Sequence, residues 1–191
     1  VGSDNRTATF TSGSNSVDLV FGYTIGALYT PGENDADGIS TGANPIVVPD
    51  NRTIKDLAGN KAILTTYGGM GNNSNYKVDT IPPNLGSVGI ISGSCIQNNF
   101  LKPDATVTTR AYFSEDVLLV SGSPTLPIVV GSSERDNSTY SSGHTSANFN
   151  FTYRILPLLA SGENDDDGIS INQNAFSLNS AVITDKADNL A

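Results

Sequence analysis

Two blocks of eight residues carry the densest ligand chemistry in this chain. Glu33-Asn34-Asp35-Ala36-Asp37-Gly38-Ile39-Ser40 and Glu163-Asn164-Asp165-Asp166-Asp167-Gly168-Ile169-Ser170 differ at one position. Each sets acids at alternate positions and then a glycine. Calcium takes about six to eight hard oxygen ligands, and alternate side chains on a tight loop can converge on one ion. The candidate metal ligands are therefore Glu33, Asp35 and Asp37 in the first block, and Glu163, Asp165 and Asp167 in the second. The bidentate Glu that closes an EF-hand loop is missing; Asn44 and Asn174 stand in its place. The other reading of each block is a solvated acidic turn between strands.

Other chemistry is thinner. His144 is the one histidine, so no histidine ligand set can form, and its aligned partner in the first half is Ser14. It reads as a loop residue. Cys95 is the one cysteine; it cannot pair within the chain and reads as a small buried hydrophobe. No nucleophile-elbow motif occurs, and no enzymatic activity is expected. The chain has 19 acidic and 10 basic side chains, a net charge of −9 and a pI near 4.3. That excess argues against nucleic acid, whose phosphates need Lys and Arg, and suits a surface that attracts cations. No apolar run is long enough for a membrane helix. Sequons lie at Asn5, Asn51, Asn72, Asn137 and Asn150.

The elements that must hold the blocks are strands. Val17, Leu19, Phe21, Tyr23 and Ile25 alternate, as a half-buried strand requires. Adding 130 gives Ala147, Phe149, Phe151, Tyr153 and Ile155, which alternate too. Beyond the blocks the offset becomes 129, and Ile54-Lys55-Asp56-Leu57-Ala58-Gly59-Asn60 matches Ile183-Thr184-Asp185-Lys186-Ala187-Asp188-Asn189. Both segments predict a short strand entering an Asx-type turn. Further strands are expected over Ala62–Tyr67, Leu85–Ile91, Val107–Phe113 and Thr125–Val130, the last pushed toward an edge by Pro127. Short strands with Gly, Pro and Asn turns predict an all-β sandwich built from repeats.

Ordered motifs then suggest a family. They are Phe113-Ser114-Glu115-Asp116-Val117, Gly122-Ser123-Pro124-Thr125-Leu126, the Phe-x-Phe-x-Tyr strand, the acidic block, and the Ile-x-Asp-x-Ala-x-Asn segment. Together with the junction Val78-Asp79-Thr80-Ile81-Pro82-Pro83 they resemble the bacterial Ig-like repeats of large secreted or surface proteins of adhesin type. The resemblance implies tandem Ig-like β-sandwich repeats in an extracellular stalk, adhesin or fibre. It also implies calcium stiffening at repeat ends, where Asp56, Asn60 and Asp79 would gather, with Asp185, Asp188 and Asn189 as counterparts. Ordinary Asx-turn chemistry explains the asparagines equally well. Residues 1–79 are expected to be the C-terminal part of one repeat with its linker. Residues 80–191 are expected to be a nearly complete repeat lacking its last strand. Partners would be neighbouring repeats or subunits of the same protein, and a host-surface or matrix ligand. Two alternatives stand beside the stalk: a filament subunit completed by strand exchange between chains, and a carbohydrate-binding accessory domain of a secreted enzyme.

Overall fold

The computed structural model describes residues 1–30, 32–64, 67–135, 138–157 and 163–191. The protein is all-β, with no helix among the described residues. It divides into two compact units, Val1–Ile81 and Pro82–Ala191.

Among the described residues the first unit has two strands, β1 (Thr9–Ser12) and β2 (Val20–Gly22). The second has nine: β3 (Leu85–Gly93), β4 (Ile96–Gln97), β5 (Phe100–Leu101), β6 (Thr106–Ser121), β7 (Ile128–Val130), β8 (Ser133–Arg135), β9 (Thr139–Ser142), β10 (Ser146–Arg154) and β11 (Val182–Thr184). Strand β6 is the centre of the second unit. It pairs antiparallel with β10, with β3 and, at its far end, with β11, while β9 pairs with β10. The short hairpins β4–β5 and β7–β8 complete the set.

The alternation in β6 and β10 becomes burial. Val107, Thr109, Ala111 and Phe113 are buried, as are Phe149, Phe151 and Tyr153, with the intervening residues half-exposed. Five aromatic rings close into a circle of edge-to-face contacts in the order Phe113, Phe149, Tyr140, Phe151, Phe176, with centroids 5.1 to 6.1 Å apart. Such geometry lets the positive edge of one ring meet the negative face of the next. A second cluster joins Ala105, Val107, Ile128, Val130, Tyr153 and Ile155.

Hairpin β1–β2 repeats β9–β10 in register. Thr9 faces Gly22, Phe10 faces Phe21 and Ser12 faces Val20; in the second unit Thr139 faces Thr152, Tyr140 faces Phe151 and Ser142 faces Asn150. The ring pair repeats as well, Phe10–Phe21 at 5.9 Å against Tyr140–Phe151 at 6.0 Å. Burial does not repeat. Among the described residues Val78 is the one buried hydrophobic side chain of the first unit.

Several expected elements differ. The long strand from Val17 to Ile25 is reduced to Val20–Gly22, because β2 has a neighbour on one edge where β10 has neighbours on both. A lone two-stranded hairpin gains little from further pairing. Residues 62–64 form no strand, and 65–66, within the strand expected over Ala62–Tyr67, lie outside the described residues. The segment Thr125–Val130 is strand only from Ile128, immediately after Pro127, which has no N–H to give a ladder. The strand expected at Ile54 is a single bridge, Lys55 to Lys61.

Candidate functional site

The acidic blocks follow the chain's exit from β10 and from the segment after β2. A tyrosine stands near the end of each strand pattern, and three residues later the backbone has left the ladder with an N–H to satisfy. Glu163 answers both needs. Tyr153 donates its hydroxyl to Oε1 at 3.0 Å and Leu156 its N–H to Oε2 at 3.2 Å. The Nε of Arg135, at the end of β8, lies 2.6 Å from Oε1. Glu33 does the same work in the first unit. It accepts the Tyr23 hydroxyl and, at 2.6 Å, the Gly26 N–H, with Arg6 Nε at 3.2 Å. The side chain of Glu33 is 1% exposed and that of Glu163 6%.

The first aspartate of each block is a two-sided clasp. Asp165 Oδ1 accepts the Gly168 N–H at 2.6 Å, closing its own turn, and Oδ2 accepts the Gly131 N–H at 2.7 Å. Asp35 takes Gly38 at 2.8 Å and Gly2 at 2.7 Å. Gly38 and Gly168 have φ of 106° and 108°, a region closed to side chains, so the block glycine is a backbone requirement. Gly2 and Gly131 match likewise at 55° and 59°.

A third paired feature is the Asx turn. Asp56 accepts the Asn60 N–H and side-chain amide, both at 2.8 Å. Asp185 accepts the same two groups of Asn189 at 2.9 and 2.7 Å. Asp188 replaces Gly59 at a left-handed position, φ 65° against 91°, which aspartate tolerates.

These hydrogen bonds set the carboxyl acidities. The Tyr23 hydroxyl, then the Gly26 N–H, holds Glu33 below the usual range. The N–H groups of Gly2 and Gly38 lower Asp35 against the opposing effect of burial. Burial pushes Asp165 up, but the N–H groups of Gly131 and Gly168 outweigh it and the net shift is down. The Asn60 side chain and backbone lower Asp56. Carboxyls lowered by the fold contribute stability that is complete above their unfolded values and lost as pH falls through their folded ones. Tyr153 has the opposite sign: burial, then its bond to Glu163, raises it to about 12. Its contribution is complete below the unfolded value near 10 and lost as pH rises toward the folded value. The melting temperature is expected to stay level from about pH 5 to 8, to fall below about pH 4, and to fall again above about pH 10. Thermal denaturation across pH checks this; a Tyr153→Phe variant should lose part of the alkaline fall, the rest coming from Tyr23, raised by its bond to Glu33, and Tyr140, raised by burial.

Among the described residues neither block brings three carboxylate oxygens within 4.8 Å of one another. The two glutamates face guanidinium groups and the first aspartates accept backbone N–H groups. Of the third acids, Asp37 accepts the Asn72 amide at 2.5 Å, and Asp167 is exposed on the wall of an open groove of about 470 Å³ whose other sides include Ile90, Phe100, Leu101 and Ile169. Asp56 and Asn60 are joined to each other. Asp79 accepts the Ile81 N–H at 3.0 Å, and the Asn34 amide, turned toward it, lies at 3.1 Å.

Sequence reasoning missed the donors. Arg6 and Arg135 recur at an offset of 129, Tyr23 and Tyr153 at 130, and those recurrences were the available signal. Cys95 is exposed, not buried, because it sits in a turn with φ of 54°. His144 is exposed in the turn before β10. Asn150 lies inside β10, bonded to Arg110 and Ser142, and Asn137 is outside the described residues. The chain matches no family model, no curated protein and no solved structure.

Proposed function

We propose that this chain is a non-enzymatic structural module, a run of tandem Ig-like β-sandwich repeats from an extracellular stalk, adhesin or fibre of a bacterial surface protein. The observation that carries this reading is the use of the duplicated acids. In both units the glutamate and the first aspartate of the block point inward and accept the same donors at matched positions. A motif repeated for a ligand would keep its oxygens open; one repeated for architecture closes them on its own backbone. The function is then mechanical. Each repeat folds on local contacts, and neighbouring repeats set reach and stiffness.

Labelling of intact cells of the source organism with an antibody to residues 82–191 tests the reading. Label is expected on unpermeabilised cells, and external protease should remove it. Label that emerges only after permeabilisation would overturn it.

A further inference from the structure

The first unit shows one half of an arrangement that the second unit shows whole. Hairpins β1–β2 and β9–β10 share their register and their ring pair. In the second unit the free edge of β10 is taken by β6, from Asn148 opposite Tyr112 to Arg154 opposite Thr106. The face of β10 is covered by the clusters that β6 and β7 supply, and Phe151 and Tyr153 are 0% and 2% exposed. Their counterparts Phe21 and Tyr23 are both 39% exposed, and Val17 is 98% exposed. Among the described residues β2 pairs with β1 alone. An open ladder edge beside an uncovered aromatic face is a template for strand addition.

We propose that the Val17–Ile25 edge and face of the first unit is a docking surface for the leading half of a repeat of this same kind. The occupant would be a segment chemically equivalent to residues 82–129. The second unit specifies what such a segment must offer. Its pairing strand presents Val107, Thr109, Ala111 and Phe113 to the core at alternate positions, all of them buried and none of them charged. Opposite Phe151 stands Thr109, opposite Phe149 the small Ala111, and opposite Tyr153 stands Val107. Leu126 and Ile128, both fully buried, close the face from the other side. The corresponding positions of the first unit, Leu19, Phe21 and Tyr23, would receive the same set. Recognition is therefore by main-chain pairing along β2 and by small or apolar side chains at alternate positions, not by charge. The inference rests on the repeat reading of the chain, but not on its location at a cell surface.

The test is amide hydrogen exchange on the intact chain and on a fusion. The fusion places a second copy of residues 82–129 ahead of Val1, a natural join because Val1-Gly2-Ser3 repeats the valine, glycine and serine of Val130-Gly131-Ser132. Amides of Val17–Ile25 are expected to exchange at least about a hundredfold more slowly in the fusion than in the intact chain. The amides of Phe149 and Phe151 serve as the folded reference and should not change. Ala111→Asp with Phe113→Asp, made in the added copy alone, should restore fast exchange. Where the fusion disturbs the reference amides, the free fragment of residues 82–129 is added to the intact chain, and the same protection is expected. An undisturbed reference with no slowing at Val17–Ile25 overturns the proposal. So does a concentration-dependent dimer of the intact chain that protects those amides by itself, because it would assign the face to a second copy. Surface labelling and exchange are independent, so the location and the docking surface can fail separately.

Discussion

Phe151→Ala is expected to destabilise the second unit by about 3–5 kcal/mol, the usual cost of truncating a fully buried phenylalanine. The ring is 0% exposed and holds edge contacts with Tyr140 at 6.0 Å and Phe176 at 6.1 Å. Removing it opens the aromatic circle at two of its five contacts, and the paired neighbours of β10 on both edges, β6 and β9, limit collapse into the gap. A domain of this size has about 5–15 kcal/mol of stability, so the loss is a large share of the total. Equilibrium denaturation followed by tyrosine fluorescence measures it. The matched substitution Phe21→Ala, at a ring 39% exposed, should cost about 1 kcal/mol or less. Equal losses at the two positions would sink the claim that one unit carries a covered core and the other an open face.

Glu163→Ala carries the second largest expected effect, about 3 kcal/mol, near the lower bound for breaking one side of a buried ion pair. The substitution strands three donors together: Arg135 Nε, the Tyr153 hydroxyl and the Leu156 N–H. The Arg135 side chain keeps 18% exposure, so water recovers part of its charge solvation and the upper end of the range is out of reach. Arg135→Ala alone should cost less, because Glu163 retains the tyrosine and the backbone N–H. The double variant should lose less than the sum of the two, by about 1 kcal/mol or more, since the second truncation finds its partner already gone. Strict additivity in that cycle would mean the carboxylate and the guanidinium stabilise the fold independently, and the ion pair would contribute nothing of its own.

Strands whose two edges are both paired were legible in the sequence. The alternation of Val107 to Phe113 and of Phe149 to Tyr153 predicts burial that the fold delivers, because each strand has neighbours on both sides. The same alternation from Val17 to Ile25 predicts a long strand and yields three residues. Period-2 patterning reports which face wants burial, not whether anything arrives to bury it. The role of the acids was illegible for a different reason. Alternating carboxylates look alike whether they meet a cation or N–H donors, and the deciding donors come from far along the chain: Gly131 lies 34 residues from Asp165 and Gly2 lies 33 from Asp35. Asn44 and Asn174, which stood out in the sequence as a missing twelfth ligand, are left-handed turn residues with φ of 48° and 57°. That is a common place for asparagine and needs no ion.

The paired clasps also divide the chain into stretches where length is free and stretches where it is not. Gly2 and Arg6 match Gly131 and Arg135 at a spacing of 129, the hairpins and acidic blocks match at 130, and the Asx turns match at 129 again. One residue was therefore gained between Arg135 and Thr139 and one lost between Asn174 and Asp185, relative to the first copy. Asp165 reaches Gly131 across the first of these changes with the same 2.7 Å bond that Asp35 makes to Gly2. The clasp fixes where two backbone segments meet and leaves the path between them adjustable. For anyone building on this scaffold, an insertion in the second of these stretches has to spare Phe176 of the aromatic circle and the β11 residues paired with β6. The two residues between each tyrosine and the N–H that its glutamate also holds are the places to leave alone.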